Sequence, residues 1–477
     1  MKDNLNNNLL NLADSYKFSH FNQYLEGTEY VHSYLESRGG DYDAIVVTGL
    51  QYYLKKFLAK KITQENLEET QALCKAHGVP FNKAGWQHIV TFHSGRLPVV
   101  IRALPEGTVV RPKEVIMTIE NTDPHCAWLT SFLETLLLKV WYPTTVASKS
   151  RMVRKLIEHH HTKTMDDLNG VPFAYHNFGD RGSSSVESAA IGGYAHLTQF
   201  MGTDNFNSLV LCNDYYGEKI AGFSIPATEH STVTSWGKEN EHRMIATYLE
   251  NNKGNPIIAC VLDSYNIYDA VNFVTSTLKV KIESPEYPIF VIRPDSGDQI
   301  TVIGKILDIM EHNEVDYTIN AKGYKMFNKY RIIWGDGVTP ETINKILTFV
   351  ADRGYAAGNM AFGSGGDLMQ NLTRDTSKFA IKCSAVNING VWQDVYKDPI
   401  TDAGKKSKRG RLTFVKWKTK GWADKKVSQY QTIRLDEFDP NLHEDMMQEV
   451  FKDGDILVKT TLAEVRERSR DDTFLKR

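Results

Sequence analysis

The sequence predicts an α/β protein whose parallel strands form a barrel-like sheet. Apolar runs recur in the second half of the chain at intervals of roughly 30–40 residues, and helix-like stretches separate them. A polar or glycine-rich loop comes directly after each run. The length of 477 residues suits two or three domains, or one large α/β domain with a satellite.

We expect three regions along the chain. Residues 1–164 form a mixed N-terminal α+β region, residues 165–384 form the barrel, and residues 385–477 pack back onto the N-terminal region. Apolar spacing in the first region predicts two helices and two strands, namely Gln64–Ala76, Cys126–Val140, Pro98–Ala103 and Val109–Arg111. A last helix is predicted near Thr461–Arg468.

Four apolar runs predict neighbouring strands of the barrel. They are Ile257–Leu262, Ile289–Ile292, Ile332–Trp334 and Met360–Phe362. The stretches Val302–Glu311 and Pro340–Ala351 are predicted to be helices between them. Because function in such sheets gathers on loops at the carboxyl ends of the strands, we expect the phosphate and base sites within residues 165–384.

Composition excludes several classes of protein. With 56 basic and 58 acidic side chains the net charge is −2, which argues against a protein that coats nucleic acid. The run Leu136–Val140 is interrupted by Lys139, so no segment is expected to span a bilayer, and Met1–Asn4 starts no secretory signal. Five cysteines without close pairs exclude a disulfide framework and a Cys-based zinc site. We therefore expect a cytoplasmic protein with no nucleic-acid or membrane partner.

Two glycine-rich loops on consecutive strands predict a phosphate site. Gly335-Asp336-Gly337 follows one strand, and Gly363-Ser364-Gly365-Gly366 follows the next and precedes the helix-like Leu368–Arg374. Glycines let backbone N–H groups approach an anion, and a helix N-terminus adds a favourable dipole. Either loop alone would be read as a tight turn, but the pair favours phosphate.

Three acidic residues lie just beyond predicted strands. Asp263, Asp295 and Asp336 are placed to accept hydrogen bonds from ribose hydroxyls or to hold Mg²⁺ through water. Each alone is equally explained as the N-cap of the next helix. Their occurrence on neighbouring strands favours a site.

The segment Asn177–Ser185 pairs an aromatic residue with a cation. Phe178 and Arg181 suit the binding of a flat ring, and the serines that follow predict a cap for the helix Val186–Gln199. Taken alone, the segment is better explained as a buried Phe beside a surface Arg. Asp204 supplies another loop carboxylate.

Histidines and basic residues complete the candidates. His230, which follows Glu229, is a candidate site residue, although a lone histidine is more often structural than catalytic. His159–His161 is interpreted as solvated surface, because consecutive helical residues point in different directions. Basic groups suited to an extended polyanion are Arg38, Arg374, Lys382, Lys397 and the run 405–411. A solvated loop is the favoured interpretation of that run, and a nucleic-acid contact is the alternative.

Ten motifs in order identify a family. They are Asp14–Lys17, Phe178–Gly182, Gly202–Asp204, Pro226–Thr232, Asp263–Tyr265, Ile292–Gly297, Gly335–Val338, Phe362–Gly366, Leu372–Asp375 and Lys397–Pro399. Over nearly the whole chain this series closely resembles the nicotinamide phosphoribosyltransferases. The resemblance implies an irregular type II phosphoribosyltransferase barrel, an α+β domain built from both chain ends, and a head-to-tail homodimer.

The resemblance also implies the reaction and its residues. Nicotinamide and phosphoribosyl pyrophosphate would give nicotinamide mononucleotide and pyrophosphate, with Mg²⁺ held through the pyrophosphate, and with ATP phosphorylating His230 beside Asp263 and Glu229. The resemblance implies that Phe178 and the partner chain's Tyr16 stack on the pyridine ring, and that Asp204, Arg181 and Arg293 contact the carboxamide or the ribose. It implies that Asp295 contacts the ribose hydroxyls and that the 5′-phosphate is bound by Gly335, Asp336, Gly365 and Gly366. It implies that pyrophosphate is bound by Arg38 and Arg374, with Lys382 or Lys397.

The sequence leaves two alternatives open and departs from the family pattern at one position. A nicotinate phosphoribosyltransferase shares the fold, and a metabolite-binding protein without turnover would keep it, although the intact Asp263, Arg293, Asp295 and Arg374 speak against an inert protein. Asp367 stands where similar proteins carry a small neutral residue. A carboxylate pointing at a phosphate would repel it, so we expect Asp367 to face outward.

Overall fold

The structure, a computed structural model, describes residues 7–401, 406–419, 421–424 and 427–475 and divides into two compact units. Unit 1 consists of Met1–Ser148, Leu211–Glu218 and Leu372–Arg477. Unit 2 consists of Lys149–Val210 and Lys219–Asn371.

Unit 2 is built on a six-stranded parallel sheet. Its strands, in spatial order, are Gly202–Thr203, Tyr175–Asn177, Met360–Ser364, Tyr330–Trp334, Ile289–Arg293 and Ile257–Val261. Ile332 lies opposite Met360 on one side and Ile292 on the other, so the four predicted strands are confirmed as neighbours. The first two strands span two and three residues, too short to show an apolar pattern.

Helices alternate with these strands, as the sequence predicts. Thr339 caps Pro340–Asp352 in a capping box, and the Asp298 carboxylate caps Gln299–His312. The further helices that lie within unit 2 are Val186–Leu197, His230–Thr234, Glu241–Asn251, Ile267–Ser276, Lys279–Ile282 and Gly366–Met369. A small antiparallel hairpin pairs Tyr317–Ile319 with Lys325–Phe327. On one face of the sheet, Ala259, Val291 and Ile333 form a compact apolar layer.

Two predictions for unit 2 are wrong in detail. The helix predicted at Leu368–Arg374 is the single turn Gly366–Met369, and a separate 3-10 turn, Arg374–Thr376, begins at the N-cap Thr373. His159–His161 is not all solvated, because His160 and His161 are 5% and 1% exposed. These two side chains lie on buried faces of the long helix Trp141–Thr164, which begins in unit 1.

Unit 1 carries a seven-stranded antiparallel sheet. Its strands, in spatial order, are Val391–Asp394, Phe379–Ile388, Thr28–Ser37, Val115–Asn121, Val99–Ala103, Gln448–Lys452 and Asp455–Ile456. Both ends of the chain therefore contribute to one sheet, and the expected α+β domain is confirmed. The unit boundary falls at 371/372 rather than 384/385 because Phe379–Ile388 pairs along its length with Thr28–Ser37.

Two smaller sheets and several helices complete unit 1. Leu412–Trp417 lies between Tyr430–Arg434 and His443–Asp445, and Ile45–Val46 pairs with Val109–Val110. The α-helices are Leu50–Tyr53, Gln64–His77, Lys83–Phe92, Leu129–Leu138, Gly421–Asp424 and Leu462–Arg468, and Phe206–Tyr216 ends in this unit. Of the helices that the structure describes, none combines the length and apolar character that crossing a bilayer requires.

Candidate functional site

A cavity of about 1070 Å³ opens at the carboxyl ends of the unit 2 strands. Eleven of the residues predicted from the sequence line it, namely Phe178, Arg181, Asp204, Glu229, His230, Arg293, Asp295, Gly335, Asp336, Gly365 and Gly366. The parallel register brings these loops together, because successive strands end at the same edge of the sheet. The cavity lies wholly within one unit.

Phe178 forms an aromatic platform at the cavity. Its backbone N–H donates to the Ser364 carbonyl oxygen at 2.9 Å, and its ring lies against the backbone of Gly363. A Cβ added at Gly363 would lie 1.9 Å from Phe178 Cε2, so only glycine at position 363 leaves room for the Phe178 ring. The guanidinium of Arg293 lies 5.4 Å from the ring centroid, while Arg181 is exposed at the cavity rim.

Arg293 and Asp295 form the charged pair beside this platform. Arg293 Nη2 lies 3.3 Å from Asp295 Oδ2, and Arg293 Nε is buried without a hydrogen-bond partner among the described residues. A buried donor of this kind carries a cost that a bound acceptor would remove. Gly335 packs closely against this pair, since a Cβ on it would lie 2.8 Å from Asp295 Oδ1 and would displace that carboxylate.

Asp204 presents a carboxylate from the loop after the short strand Gly202–Thr203. Its N–H donates to the Asn177 carbonyl oxygen at 3.0 Å, and the Ser224 hydroxyl donates to Oδ1 at 2.5 Å. The side chain is thereby oriented while Asp204 stays exposed and lines the cavity. It can accept further hydrogen bonds from a ligand.

His230 and Asp263 form a second pair. His230 Nε2 lies 3.0 Å from Asp263 Oδ1, with the His230 side chain 48% exposed and that of Asp263 6% exposed. Asp263 Oδ2 accepts from the Asp295 N–H at 3.1 Å and from the Ser296 hydroxyl at 2.6 Å. Asp263 therefore does not line the cavity itself but positions His230 and the loop that carries Asp295. Glu229 caps the helix that begins at His230.

The glycine loops also line the cavity, next to Phe178 and Asp295. Gly337 has a left-handed φ of 58°, and Trp334 Nε1 donates to the Asp336 carbonyl oxygen at 2.5 Å. A Cβ added at Gly366 would meet no atom within 4 Å. The loop therefore has open space over Gly366, where an anion could approach the backbone.

Asp367 does not face outward, which corrects the expectation from the sequence. Its side chain is only 16% exposed, and Oδ2 lies 2.7 Å from Nζ of Lys149. The Lys149 ammonium also donates to the Asp367 carbonyl oxygen at 2.6 Å, and Asn371 donates to Oδ1 at 3.0 Å. The buried cation compensates the carboxylate, so Asp367 can line the cavity without leaving an unpaired charge.

The remaining predicted residues belong to unit 1. Arg38 N donates to the Lys378 carbonyl oxygen, its Nε lies 3.1 Å from Glu36, and its Nη2 is buried without a partner among the described residues. Burial lowers the pKa of the Lys382 ammonium; the Glu134 carboxylate opposes this shift, and the charges of Arg38 and Arg374 reinforce it. Lys397 is exposed. Arg38, Arg374 and Lys382 interact electrostatically, and such a cluster of cations suits a polyanion.

The basic run at 405–411 is only partly solvated, contrary to the favoured interpretation. Lys405 lies outside the described residues. Lys408 pairs with the buried Glu36, and Arg411 Nε lies 3.1 Å from Glu120. Tyr16, in the 3-10 segment Ser15–Asn22, is 58% exposed and packs its ring edge-on at 4.9 Å from His20.

Comparisons with known proteins identify the family. Residues 173–455 match the model of the nicotinate phosphoribosyltransferase family, and residues 8–101 match the model of the nicotinamide phosphoribosyltransferase N-terminal domain. The chain is 46% identical over 97% of its length, and 98% of the relative's, to a nicotinamide phosphoribosyltransferase of Xanthomonas campestris pv. campestris (strain 8004). This chain belongs to the nicotinamide phosphoribosyltransferase family.

Solved structures agree with the fold expected of this family. A nicotinate-nucleotide pyrophosphorylase from Pyrococcus furiosus superposes with a TM-score of 0.63 at 14% identity, covering 100% of this chain and 98% of the other. Human nicotinic acid phosphoribosyltransferase superposes with a TM-score of 0.53 at 15% identity, covering 96% and 92%. The irregular α/β fold with an extra domain is thereby confirmed.

Within this nicotinamide phosphoribosyltransferase fold, the sequence missed three supporting residues. Lys149 lies 218 positions from Asp367, Ser224 lies 20 positions from Asp204, and Ser296 acts on Asp263 rather than on the cavity. Of the three, only Lys149 could have been anticipated from the sequence, because an acid next to a phosphate loop needs a compensating cation.

Proposed function

We propose that this chain transfers the phosphoribosyl group of phosphoribosyl pyrophosphate to nicotinamide, giving nicotinamide mononucleotide and pyrophosphate. In this reaction the bond between the ribose C1′ and the pyrophosphate oxygen breaks, and a bond from C1′ to the pyridine nitrogen forms. The observation that carries the proposal is the single cavity of about 1070 Å³, which combines an aromatic platform, exposed carboxylates and glycine loops in a member of this family.

Nicotinamide binding uses the platform and the acids around it. The pyridine ring stacks on Phe178, whose position is set by Gly363. The carboxamide N–H groups donate to Asp204, and its carbonyl oxygen accepts from the unpartnered Nε of Arg293 or from Arg181. A carboxylate acceptor distinguishes the amide from nicotinate, because a second negative charge would be repelled.

Phosphoribosyl pyrophosphate binding divides between acids, glycines and cations. Asp295 accepts from the ribose hydroxyls, and Gly335, Asp336, Gly365 and Gly366 surround the 5′-phosphate. Arg38 and Arg374, with Lys382 or Lys397, hold the pyrophosphate. The buried, unpartnered Nη2 of Arg38 and the lowered pKa of Lys382 both favour an anion at this cluster.

Catalysis follows from positioning and charge. As pyrophosphate departs, positive charge develops on the ribose ring, and the stacked pyridine nitrogen lies in line to attack C1′. Arg38 and Arg374 stabilise the charge on the leaving pyrophosphate. No general base is required, because the attacking nitrogen carries no proton.

Oxygen donors at the cavity fit Mg²⁺ as part of the substrate complex. Asp295 is paired with Arg293, and Asp263 already accepts three hydrogen bonds, so these acids suit contact through water rather than a closed set of direct ligands. Asp336 is exposed at the rim. When bound, Mg²⁺ would neutralise negative charge on the pyrophosphate.

ATP acts through His230 in this proposal. Because Nε2 of His230 is directed at Asp263 Oδ1 at 3.0 Å, Nδ1 retains the lone pair that accepts a phosphoryl group. The Nδ1–P bond forms, the bond from the γ-phosphorus to the bridging oxygen breaks, and ADP leaves. Asp263 stabilises the resulting positive charge on the ring.

The phosphorylation test uses a matched pair of histidines. Labelling with γ-labelled ATP is expected to give an acid-labile, base-stable label that disappears in His230→Ala. His242→Ala is the control, because His242 is also exposed and lies 3.0 Å from a carboxylate, that of Asp269. A label that persists in His230→Ala would place the phosphoryl group elsewhere.

The transfer reaction itself is tested by product analysis. Nicotinamide or nicotinate is incubated with phosphoribosyl pyrophosphate, Mg²⁺ and the protein, with and without ATP, and products are identified by mass spectrometry. Nicotinamide mononucleotide is expected, with higher yield when ATP is present. Absence of a nucleotide from both bases would contradict the proposed activity, and a product from nicotinate alone would reassign the substrate.

The active assembly in this proposal is a cytoplasmic homodimer with two shared sites. Tyr16 of one subunit would cover the pyridine ring opposite the neighbour's Phe178, and its 58% exposure leaves the ring available for such a contact. All five cysteines are free thiols, which is typical of a reducing compartment.

A further inference from the structure

Three histidines surround one aspartate in unit 1. His88 Nε2 and His93 Nε2 lie 2.7 Å and 2.6 Å from the same oxygen, Oδ2 of Asp123. His125 contacts the other oxygen, Oδ1, through its ring nitrogen at 3.0 Å and its backbone N–H at 2.8 Å. The carboxylate is thus at the centre of a polar cluster that the proposed transfer reaction does not use.

A sulfur donor lies beside this cluster. The ligand atoms of His88, Asp123 and Cys126 all lie within 4.8 Å of one another, and Cys126 is fully buried. His93 Nε2 lies 2.6 Å from Asp123 Oδ2 but outside this group of three, so its ring has to shift for two imidazole nitrogens, one carboxylate oxygen and one sulfur to meet around one ion. Four donors of these types are the composition of tetrahedral zinc sites. From the spacing of the cysteines the sequence excluded a Cys-based zinc site, and a site with a single cysteine ligand would depart from that expectation.

Local structure brings the donors together from two segments. His88 lies on the helix Lys83–Phe92, and His93 is the C-cap residue of that helix. Asp123 is the N-cap of the 3-10 turn Pro124–Cys126, so its carboxylate is already oriented by the backbone. An ion held by both segments would cross-link the end of the helix to this turn.

The enclosure of the cluster differs from that of an ordinary surface ion pair. The side chains of His88, His93 and Asp123 are 20%, 26% and 14% exposed. His125, at 73% exposed, is the outer member and leaves a route for an ion to enter. His125 also hydrogen-bonds to Asp123 Oδ1, the carboxylate oxygen that would not bind the ion. Residues with this role in metal sites orient the ligand from outside the coordination sphere.

We propose that His88, His93 and Asp123, with Cys126 as fourth donor, bind one late first-row divalent transition ion such as Zn²⁺. In the present geometry the two imidazoles donate N–H groups to one oxygen. The ion takes the place of those Nε2 protons, which move through solvent to Nδ1 of the same rings, and the Cys126 thiol releases its proton to solvent when the Zn–S bond forms. The ring nitrogens move from 2.6–2.7 Å to about 3.3 Å from the oxygen, as tetrahedral Zn–N and Zn–O bonds require. Imidazole and sulfur donors favour such ions over Mg²⁺.

Zinc binding to the metal-free full-length protein tests the proposal directly. Equilibrium dialysis with ZnCl₂ is expected to give one tightly bound ion per subunit, and Zn²⁺ is expected to raise the unfolding temperature by mass action. His88→Gln and His93→Gln retain an amide donor for Asp123 but each removes an imidazole. Both are expected to weaken Zn²⁺ binding at least about 100-fold. His242→Gln is the control, since it removes a histidine–carboxylate contact of 3.0 Å elsewhere and leaves binding unchanged.

Cobalt identifies the donors without relying on variants that alter the fold. Co²⁺ bound to the wild-type protein is expected to show strong four-coordinate visible bands and a thiolate charge-transfer band. The charge-transfer band is expected to disappear in Cys126→Ser. Unchanged Zn²⁺ affinity in His88→Gln and His93→Gln, or the weak spectrum of a six-coordinate Co²⁺, would overturn the proposed site. In that case the three histidines serve only as hydrogen-bond donors to Asp123.

Discussion

Lys149 and Asp367 show how one residue pair changes the chemistry of the phosphate loop. Asp367 places a carboxylate next to Gly366, and Lys149 contacts both its side-chain and its carbonyl oxygen. Lys149 is 5% exposed, so its charge is little screened by solvent. The pair keeps the loop close to neutral, and Lys149 acts as a positioning residue rather than a ligand of the substrate.

The first prediction removes this cation. Lys149→Met leaves the Asp367 carboxylate uncompensated beside the proposed 5′-phosphate site, so we expect the KM for phosphoribosyl pyrophosphate to rise about tenfold or more, with a smaller change in kcat. Steady-state kinetics with varied phosphoribosyl pyrophosphate measures the effect.

A second variant separates charge from fold in that experiment. Adding Asp367→Gly to Lys149→Met removes the unpaired carboxylate and should restore most of the affinity, as a double-mutant cycle requires for a coupled pair. Lys155→Met on the same helix is the control, because Lys155 is 46% exposed and lies 3.9 Å from its partner Glu158. Equal KM values in Lys149→Met and wild type would show that the pair has no role in substrate binding.

The second prediction concerns the choice of base at Asp204. We expect the wild-type protein to have a higher kcat/KM for nicotinamide than for nicotinate. Asp204→Asn should narrow this difference in kcat/KM, because the amide side chain introduced at position 204 does not repel the nicotinate carboxylate. Competition assays with both bases measure the ratio. Asp180→Asn removes the same charge from another cavity-lining residue and should leave the ratio unchanged. Equal kcat/KM values for the two bases in the wild type would contradict this role.

Close approach between a strand and a loop decides where the aromatic platform lies. Phe178 follows one strand, Gly363 lies in the neighbouring strand Met360–Ser364, and the ring occupies the space that a side chain at 363 would fill. Gly363 is thus required for packing, whereas Gly366 has open space around it.

The third prediction compares these two glycines. Gly363→Ala must displace the Phe178 ring, so we expect a loss of about 1–3 kcal/mol in the free energy of unfolding and at least a tenfold rise in the KM for nicotinamide. Gly366→Ala should change the free energy of unfolding by less than about 0.5 kcal/mol. Urea unfolding and kinetics of both variants test this, and equal nicotinamide KM values in Gly363→Ala and wild type would contradict it.

The fourth prediction concerns the long helix Trp141–Thr164. Burial, and secondarily the neighbouring His160, lower the pKa of His161 from 6.5 to about 4. Below pH 6.5 the unfolded chain therefore binds a proton that the folded chain does not, and stability falls as pH decreases toward 4. We expect His161 to contribute a loss of about 2 kcal/mol between about pH 7.5 and pH 5.

Urea unfolding at both pH values tests this assignment. His161→Gln has no titrating group at this position and should lose about 2 kcal/mol less than wild type over the same pH interval. His159→Gln, on the exposed side of the same helix, should behave as wild type. A pH dependence identical in His161→Gln and wild type would show that His161 is not the group responsible.

The proposed dimer predicts complementation between two inactive proteins. Tyr16→Ala and Asp295→Ala each remove a different part of the proposed shared site. In a hybrid dimer one site collects both defects and the other has neither, and with random exchange half of the dimers are hybrids. Mixing should therefore restore about a quarter of wild-type activity.

Subunit exchange has to be measured independently in that experiment, for example by mixing subunits that carry different labels. If the subunits exchange and activity does not return, Tyr16 does not act in a site shared between subunits. Mixing either variant with itself is the control and should restore nothing.

Much of this protein was determined by local sequence. Apolar periodicity and capping residues such as Thr339 and Asp298 specify the helices and strands, since these signals act within a few residues of one another. Polar residues at the ends of successive parallel strands also predicted most of the cavity lining, because the register brings strand ends to one edge.

The tertiary structure alone decided the pairing of Thr28–Ser37 with Phe379–Ile388, the cation that compensates Asp367, and the histidines around Asp123. These contacts join residues 30 to more than 300 positions apart, and no local pattern records a partner whose position depends on how the whole chain packs.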